Sequence, residues 1–183
     1  MASYRKQIIV KCYGGEFGRG GLILKALDQI LLSFSSYQVL LYSVTDDLLE
    51  EAQVLSKKFP ERIRVAKQSK PIPHQKLIEE FANSRVYVGA SVSDGISTSF
   101  LEAIVQGTFP IQTDTSCANE WFEKGASGFL SSLNVEEIES KIRKALEDDA
   151  LVDKAQISNR MIAENALDSN SLKIIAQDFY KII

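Results

Sequence analysis

Residues 85–113, RVYVGASVSDGISTSFLEAIVQGTFPIQT, decide the fold. Arg85 to Ala90 (RVYVGA) is a short run of β-branched, aromatic and small residues and reads as a strand. SVSDGISTS is a polar loop. SFLEAIVQG carries apolar residues at helical spacing, with Gly107 placed as its C-cap. Phe109 to Thr113 is a strand again. Two strands joined through a helix run parallel, because only a crossover of that length brings the chain back to the starting edge of the sheet.

The alternation continues in both directions. Upstream, Gln7 to Cys12 (QIIVKC) is a strand, followed by the turn YGGEFGRGG and an apolar helix from about Leu22 to Ser33. A strand at Tyr37 to Ser43 leads to a helix from about Asp46 to Lys58, with Asp46 as N-cap. A third strand, Arg62 to Ala66, a loop KQSKPIPHQ and a helix HQKLIEEFANS complete that half. Downstream come a short helix near Asn119 to Lys124 and a sixth strand at Gly128 to Leu130. Three helical segments follow Val135: VEEIESKIRKALEDD, LVDKAQISNRMIAEN and SLKIIAQDFYKII. The strands are short and apolar throughout, the pattern of strands buried on both faces. The expectation is an α/β fold with one doubly wound parallel sheet, a single domain over residues 1–183 with a helical tail over 151–183.

Charge and composition exclude several classes. The 21 basic and 24 acidic residues leave a net charge of −3, which gives no general attraction to nucleic acid or anionic lipid. No apolar run reaches the roughly 20 residues that cross a bilayer. MASYRKQ passes directly from polar residues into a strand, without the apolar core of a leader peptide. The two cysteines, Cys12 and Cys117, are far apart and lack metal-ligand spacing, so a cytoplasmic chain with neither disulfide nor structural zinc is expected.

In an open parallel sheet, ligands bind beyond the carboxyl ends of the strands, so four loops matter. YGGEFGRGG, residues 13–21, has five glycines in nine positions, and Arg19 stands before a helix start. Close backbone approach, free amides and a guanidinium suit a phosphate. The spacing is neither that of a dinucleotide fingerprint nor of a Walker loop, and a flexible turn with a solvated arginine is the plainer reading. In SVSDGISTSFLEA, residues 91–103, Asp94 lies in the loop, Thr98 and Ser99 stand near the helix start, and Glu102 is one turn further on. Hydroxyls and amides there make an anion site, and the carboxylate could accept from a ribose diol. Taken by spacing alone, Glu102 reads rather as a solvated surface residue and Asp94 as a loop or capping residue. In QTDTSCANEW, residues 112–121, Asp114, Thr115 and Ser116 end a strand while Asn119 and Glu120 open a short helix. Helix capping with Trp121 in the core competes there with ligand contact. AKQSKP, after the third strand, could meet a nucleobase through its backbone. His74, the only histidine, opens a helix behind a proline and reads as structural. Without a second histidine no Ser-His-Asp arrangement can be assembled.

The stretch SVSDGISTSFLEAIVQGTFPIQTDTSCANEWFEKGASGFL resembles the signature of the family 4 (group 1) glycosyltransferases. The matching positions are Asp94, Gly95, Glu102, Ala103, Gly107, Pro110, Glu120 and Gly128. Arg19-Gly20 and the apolar helix after it resemble the family's first loop, whose Lys-Gly pair holds the donor diphosphate. The likeness runs from about Gln7 to Asp148. It implies that this chain is the C-terminal, donor-binding member of two facing Rossmann-like halves, with an N-terminal acceptor domain absent from this chain. It also implies transfer with retention of anomeric configuration, no catalytic metal and no cofactor beyond the nucleotide-sugar substrate. By position, Asp94 would contact the transferred sugar and Glu102 the ribose, and these two are the catalytic candidates. Gly14, Gly15, Arg19 and Gly20 would hold the diphosphate, assisted by Gly95, Ser97, Thr98 and Ser99. The resemblance further implies surface polysaccharide or lipopolysaccharide synthesis, at the inner face of a bacterial membrane reached through the full-length protein. The isolated half would be inactive.

Five positions depart from the family's pattern. Asp94 replaces a glutamate, shorter by one methylene, and Arg19 replaces a lysine, keeping the charge but not its geometry. Gly14 stands where an arginine commonly precedes that lysine by five, and Cys117 and Ala118 replace glycines. These departures leave open a non-catalytic nucleotide-sugar-binding module on the same fold. An epimerase or a phosphorylase on this scaffold would need catalytic groups that cannot be picked out here.

Overall fold

The computed structural model describes residues 1–92, 95–115 and 117–181. Six parallel strands form one sheet: β1 (Gln7–Lys11), β2 (Gln38–Val44), β3 (Ile63–Lys67), β4 (Val86–Gly89), β5 (Phe109–Thr113) and β6 (Phe129–Ser131). Their spatial order is β3-β2-β1-β4-β5-β6. The chain steps outward from β1 to β3, crosses back to β4 beside β1, and steps outward again to β6. Ile9 lies opposite both Leu40 and Tyr87 in this register. Because the direction of winding reverses between β1 and β4, the loops leaving these two strands diverge and open a crevice.

Side chains alternate across the sheet and feed two cores. Ile8, Val10, Val39, Leu41, Val86 and Val88 enter one cluster, whereas Ile9, Leu40, Tyr42 and Tyr87 enter the other. The first is covered by α2 (Gly20–Ile30), α3 (Leu49–Lys58), α7 (Val135–Glu147) and α8 (Asp149–Ile162). In α7 the buried residues Ile138, Ile142, Ala145 and Leu146 follow helical spacing, while the acidic pair Glu136 and Glu137 occupies its first turn. The second core lies under α4 (His74–Asn83), α5 (Thr98–Val105) and α6 (Ala118–Glu123), where Phe81 and Phe100 are fully buried. Burying each such ring stabilises the fold by roughly 1.5–3 kcal/mol. A π-helical turn, Ala163–Leu167, and α9 (Ser169–Lys181) form the helical tail.

Most boundaries fall where expected, and the differences have local causes. The apolar helix begins at Gly20, not Leu22, since its glycine start passes close to other elements. A Cβ on Gly20 would lie 2.9 Å from both Leu48 Cδ1 and the Tyr13 carbonyl oxygen. The glycine turn before it contains one helical turn, α1 (Gly15–Gly18). Asp46 is not the N-cap expected of it: Asp46–Leu48 form a 3-10 turn behind Thr45, and α3 starts at Leu49. The neighbouring Asp47 carboxylate turns back to the Gly15 amide and does not cap α3. Gly107 lies one residue beyond the C-cap Gln106 of α5, at φ 63°, the left-handed conformation that ends helices. The second of the three helical segments after Val135 does not run unbroken through Asn165. It yields to the π turn at Ala163.

Candidate functional site

The loop after β1 is held by its own backbone and by the end of β2. Gly20 N–H donates to the Tyr13 carbonyl at 2.9 Å, and Gly18 N–H to that of Gly14 at 3.1 Å. Gly18 cannot carry a side chain, because a Cβ would fall 2.1 Å from the Tyr13 oxygen. From the turn that follows β2, Thr45 Oγ1 accepts from Gly14 N–H and Asp47 Oδ2 from Gly15 N–H, each at 2.9 Å. The Thr45 hydroxyl first, then the Gly15 amide, holds the Asp47 carboxyl below its ordinary range. A Cβ on Gly14 would meet the two Asp47 carboxylate oxygens at 2.3 and 2.5 Å and Thr45 Oγ1 at 2.6 Å. The glycine that departs from the family's arginine is thus matched by a carboxylate in the space beside it. Arg19 is exposed, at φ 52° between α1 and α2, and lines a cavity of about 300 Å³ with Lys25, Asp47 and Glu51.

The loop after β4 meets this first loop directly: Val92 N–H donates to the Phe17 carbonyl at 2.8 Å. The predicted glycine turn and the predicted serine-rich loop therefore lie side by side at the crevice between β1 and β4. Asp94 and Ser116 lie outside the described residues. Gly95 and Thr98 are exposed, and Ser97 and Ser99 are buried. Ser97 is the N-cap of α5, yet its buried hydroxyl caps no amide and has no partner among the described residues. Beneath the loop, Gln112 donates to Ser91 Oγ at 3.3 Å, while Thr113 and Thr115 each donate to the Ser91 carbonyl at 2.8 Å. This polar layer at the ends of β4 and β5 pins the start of the serine-rich loop. The Gly95 carbonyl accepts from Cys117 N–H at 2.9 Å, which ties the far end to α6.

Glu102 is four-fifths enclosed, and its Oε1 lies 2.9 Å from His74 Nε2. Sequence reasoning treated Glu102 as a ribose candidate and His74 as structural, and missed that they form one pair. Tyr42 lies below in the second core, edge-on to Phe81, and burial raises its hydroxyl well above the ordinary range, with Tyr87 adding to the effect. Trp121 is buried in the same core, the plainer of its two readings. Asp114 and Thr115 are exposed at the end of β5, and Asn119 and Glu120 are exposed on α6. Cys12, fully buried at the end of β1, has its thiol pushed up to about 12, by burial and then by Glu51 and Asp47, so it stays protonated and unreactive. Among the described residues no three His, Cys, Asp or Glu side chains converge as a metal site would require. No helix among them is long and apolar enough to cross a membrane.

A doubly wound parallel sheet with a glycine loop and a carboxylate-bearing helix at its switch point defines a Rossmann-like protein. The chain matches the family of glycosyl transferases group 1 over residues 22–167 and belongs to that family. It is similar in structure to a glycosyltransferase from Rickettsia africae ESF-5, at TM-score 0.73 and 18% identity, covering 97% of this chain and 48% of that one. Anabaena Alr3699/HepE, solved in complex with UDP and glucose, gives TM-score 0.74 at 15% identity, covering 98% of this chain and 49% of its own. The C-terminal domain of the group 1 glycosyl transferase LpcC from Francisella tularensis gives 0.73 at 14% identity, covering 89% of this chain and 86% of that domain. The chain thus spans about half the length of the Rickettsia and Anabaena proteins. At these identities the likeness is one of fold. Among curated proteins no sequence matches.

Proposed function

We propose that this chain is the donor-binding half of a retaining glycosyltransferase that takes a sugar from a nucleoside diphosphate. The observation that carries the reading is the enclosed Glu102 carboxylate, held on α5 at the same sheet edge where the two crevice loops meet. With Oε1 directed at His74, Oε2 is left to accept from the ribose hydroxyls. Arg19 and the start of α2 face the diphosphate, whose charge grows as the bond from sugar C1 to phosphate oxygen breaks and a bond to an acceptor oxygen forms. Asp94 contacts the transferred sugar. No metal and no further cofactor takes part. The acceptor is held by an N-terminal domain, which excludes water and sets the near-attack geometry. The acceptor class is a bacterial surface polysaccharide or lipopolysaccharide, reached from the cytoplasm at the membrane's inner face. Alone, the chain binds donor and transfers nothing.

The test is a pair of substitutions read by calorimetry against a nucleoside and its diphosphate. Glu102→Ala weakens both by about 1–3 kcal/mol, the range for leaving polar partners unmatched. Arg19→Ala weakens the diphosphate far more than the nucleoside, since only the former presents charge to the guanidinium. Wild-type binding by Glu102→Ala refutes the ribose assignment.

A further inference from the structure

We infer that His74 is a positioning residue for the ribose-binding carboxylate, an inference that rests on the donor reading above. Three observations carry it. The His74 Nε2–Glu102 Oε1 distance of 2.9 Å is that of a direct hydrogen bond, in which the ring N–H donates. Second, His74 is the first residue of α4 behind Pro73, whose φ of −53° and ψ of 137° set the entry of the chain. Leu77 N–H closes the first turn on the Pro73 carbonyl at 3.0 Å, and Ile72 and Leu77 pack against the second core. The backbone under the imidazole is therefore fixed. Third, the two side chains differ in exposure: 74% for His74 against 20% for Glu102. A mostly enclosed carboxylate has few rotamers left, and a donor on Oε1 removes the remaining freedom, leaving Oε2 for a vicinal diol. An exposed imidazole contributes little packing, so the contact has scant value to the fold.

The geometry separates positioning from mere polarity. Gln Nε2 lies as many bonds from Cα as His Nε2, whereas Asn Nδ2 is one bond short. His74→Gln therefore keeps the donor and His74→Asn loses it.

The experiment titrates the chain with UDP, ADP and GDP, each beside its 2′,3′-dideoxy form, and takes the best-binding pair. The wild type prefers the ribonucleotide, and His74→Ala and His74→Asn lower that preference about five- to tenfold, the net worth of one intramolecular hydrogen bond. His74→Gln retains it. In a Glu102→Ala background the His74 substitutions change nothing further, because the histidine acts only through the carboxylate. Thermal melting of the single variants stays at the wild-type value. An unaltered ribose preference in His74→Ala, with Glu102→Ala still impaired, overturns this inference and leaves the donor reading standing. A loss that persists in the Glu102→Ala background overturns it too, since His74 would then contact the nucleotide itself. Failure of the wild type to bind any of the three, or to distinguish ribose from dideoxyribose, overturns the donor reading and the inference with it.

Discussion

Asp47 presents its carboxylate to a loop whose free amides and arginine would otherwise be open to an anion. It sits where a side chain on Gly14 would have to go, so any residue larger than glycine at 14 would have to displace it. The pairing has a pH signature. Hydrogen bonds from Thr45 and then Gly15 depress the Asp47 pKa in the folded chain. A depressed carboxyl binds its proton less readily folded than unfolded, so its contribution is complete above the ordinary aspartate range and is lost as pH falls through the folded value. Melting curves of wild type and Asp47→Asn should therefore differ most near neutral pH, begin to converge below about pH 4, where an unfolded aspartate takes up its proton, and meet only below the depressed folded value. A gap of constant size across that range would mean that the carboxylate charge plays no part in holding the loop. None of this is readable from YGGEFGRGG, because the partner lies 32 positions away and reaches the loop only once β2 pairs with β1.

At the scale of elements, the edge of the sheet opposite the site is fastened by one buried cation. Arg85, fully buried just before β4, donates to the Ala145 carbonyl at 2.9 Å near the end of α7, to the Ser3 carbonyl at 2.7 Å, and to Asp149 at 2.6 Å at the start of α8. It stitches the N-terminal segment to the α7–α8 corner, where Asp148 caps α8 by accepting from Leu151 N–H. Asp149 is mostly exposed and gains little from the pair, so the stability resides in filled volume and satisfied carbonyls. Arg85→Ala should cost about 2–4 kcal/mol in urea unfolding, from a cavity together with carbonyls left unpaired. Asp149→Ala should cost well under half of that. Near-equal losses would shift the weight to the ion pair. In the sequence Arg85 reads only as the polar start of an apolar strand, since nothing local announces a partner on α7. The strands and helices themselves are legible, because a strand buried on both faces leaves its mark in consecutive residues. VYVG does so within four positions. What fails locally is the ends of helices, at Gly20 and at Ala163, where packing against other elements decides.

Across the whole molecule, the sheet order β3-β2-β1-β4-β5-β6 is one of those that alternating strands and helices allow, and it fixes where the crevice opens. The sequence points to the loops that border it but not to their interlocking. Val92 meets Phe17 and His74 meets Glu102 across separations that only the folded sheet closes. Asp94, the remaining candidate from the motif, lies outside the described residues. The central proposal is that this chain, by itself and without metal, holds a nucleotide sugar. The measurement that tests it most directly is a calorimetric titration of the isolated chain with UDP-, ADP- and GDP-linked sugars in excess EDTA. Saturable one-site binding of at least one of them, with an affinity unchanged when the chelator is omitted, is the predicted result. Binding of none, or binding that vanishes with the chelator, would contradict it.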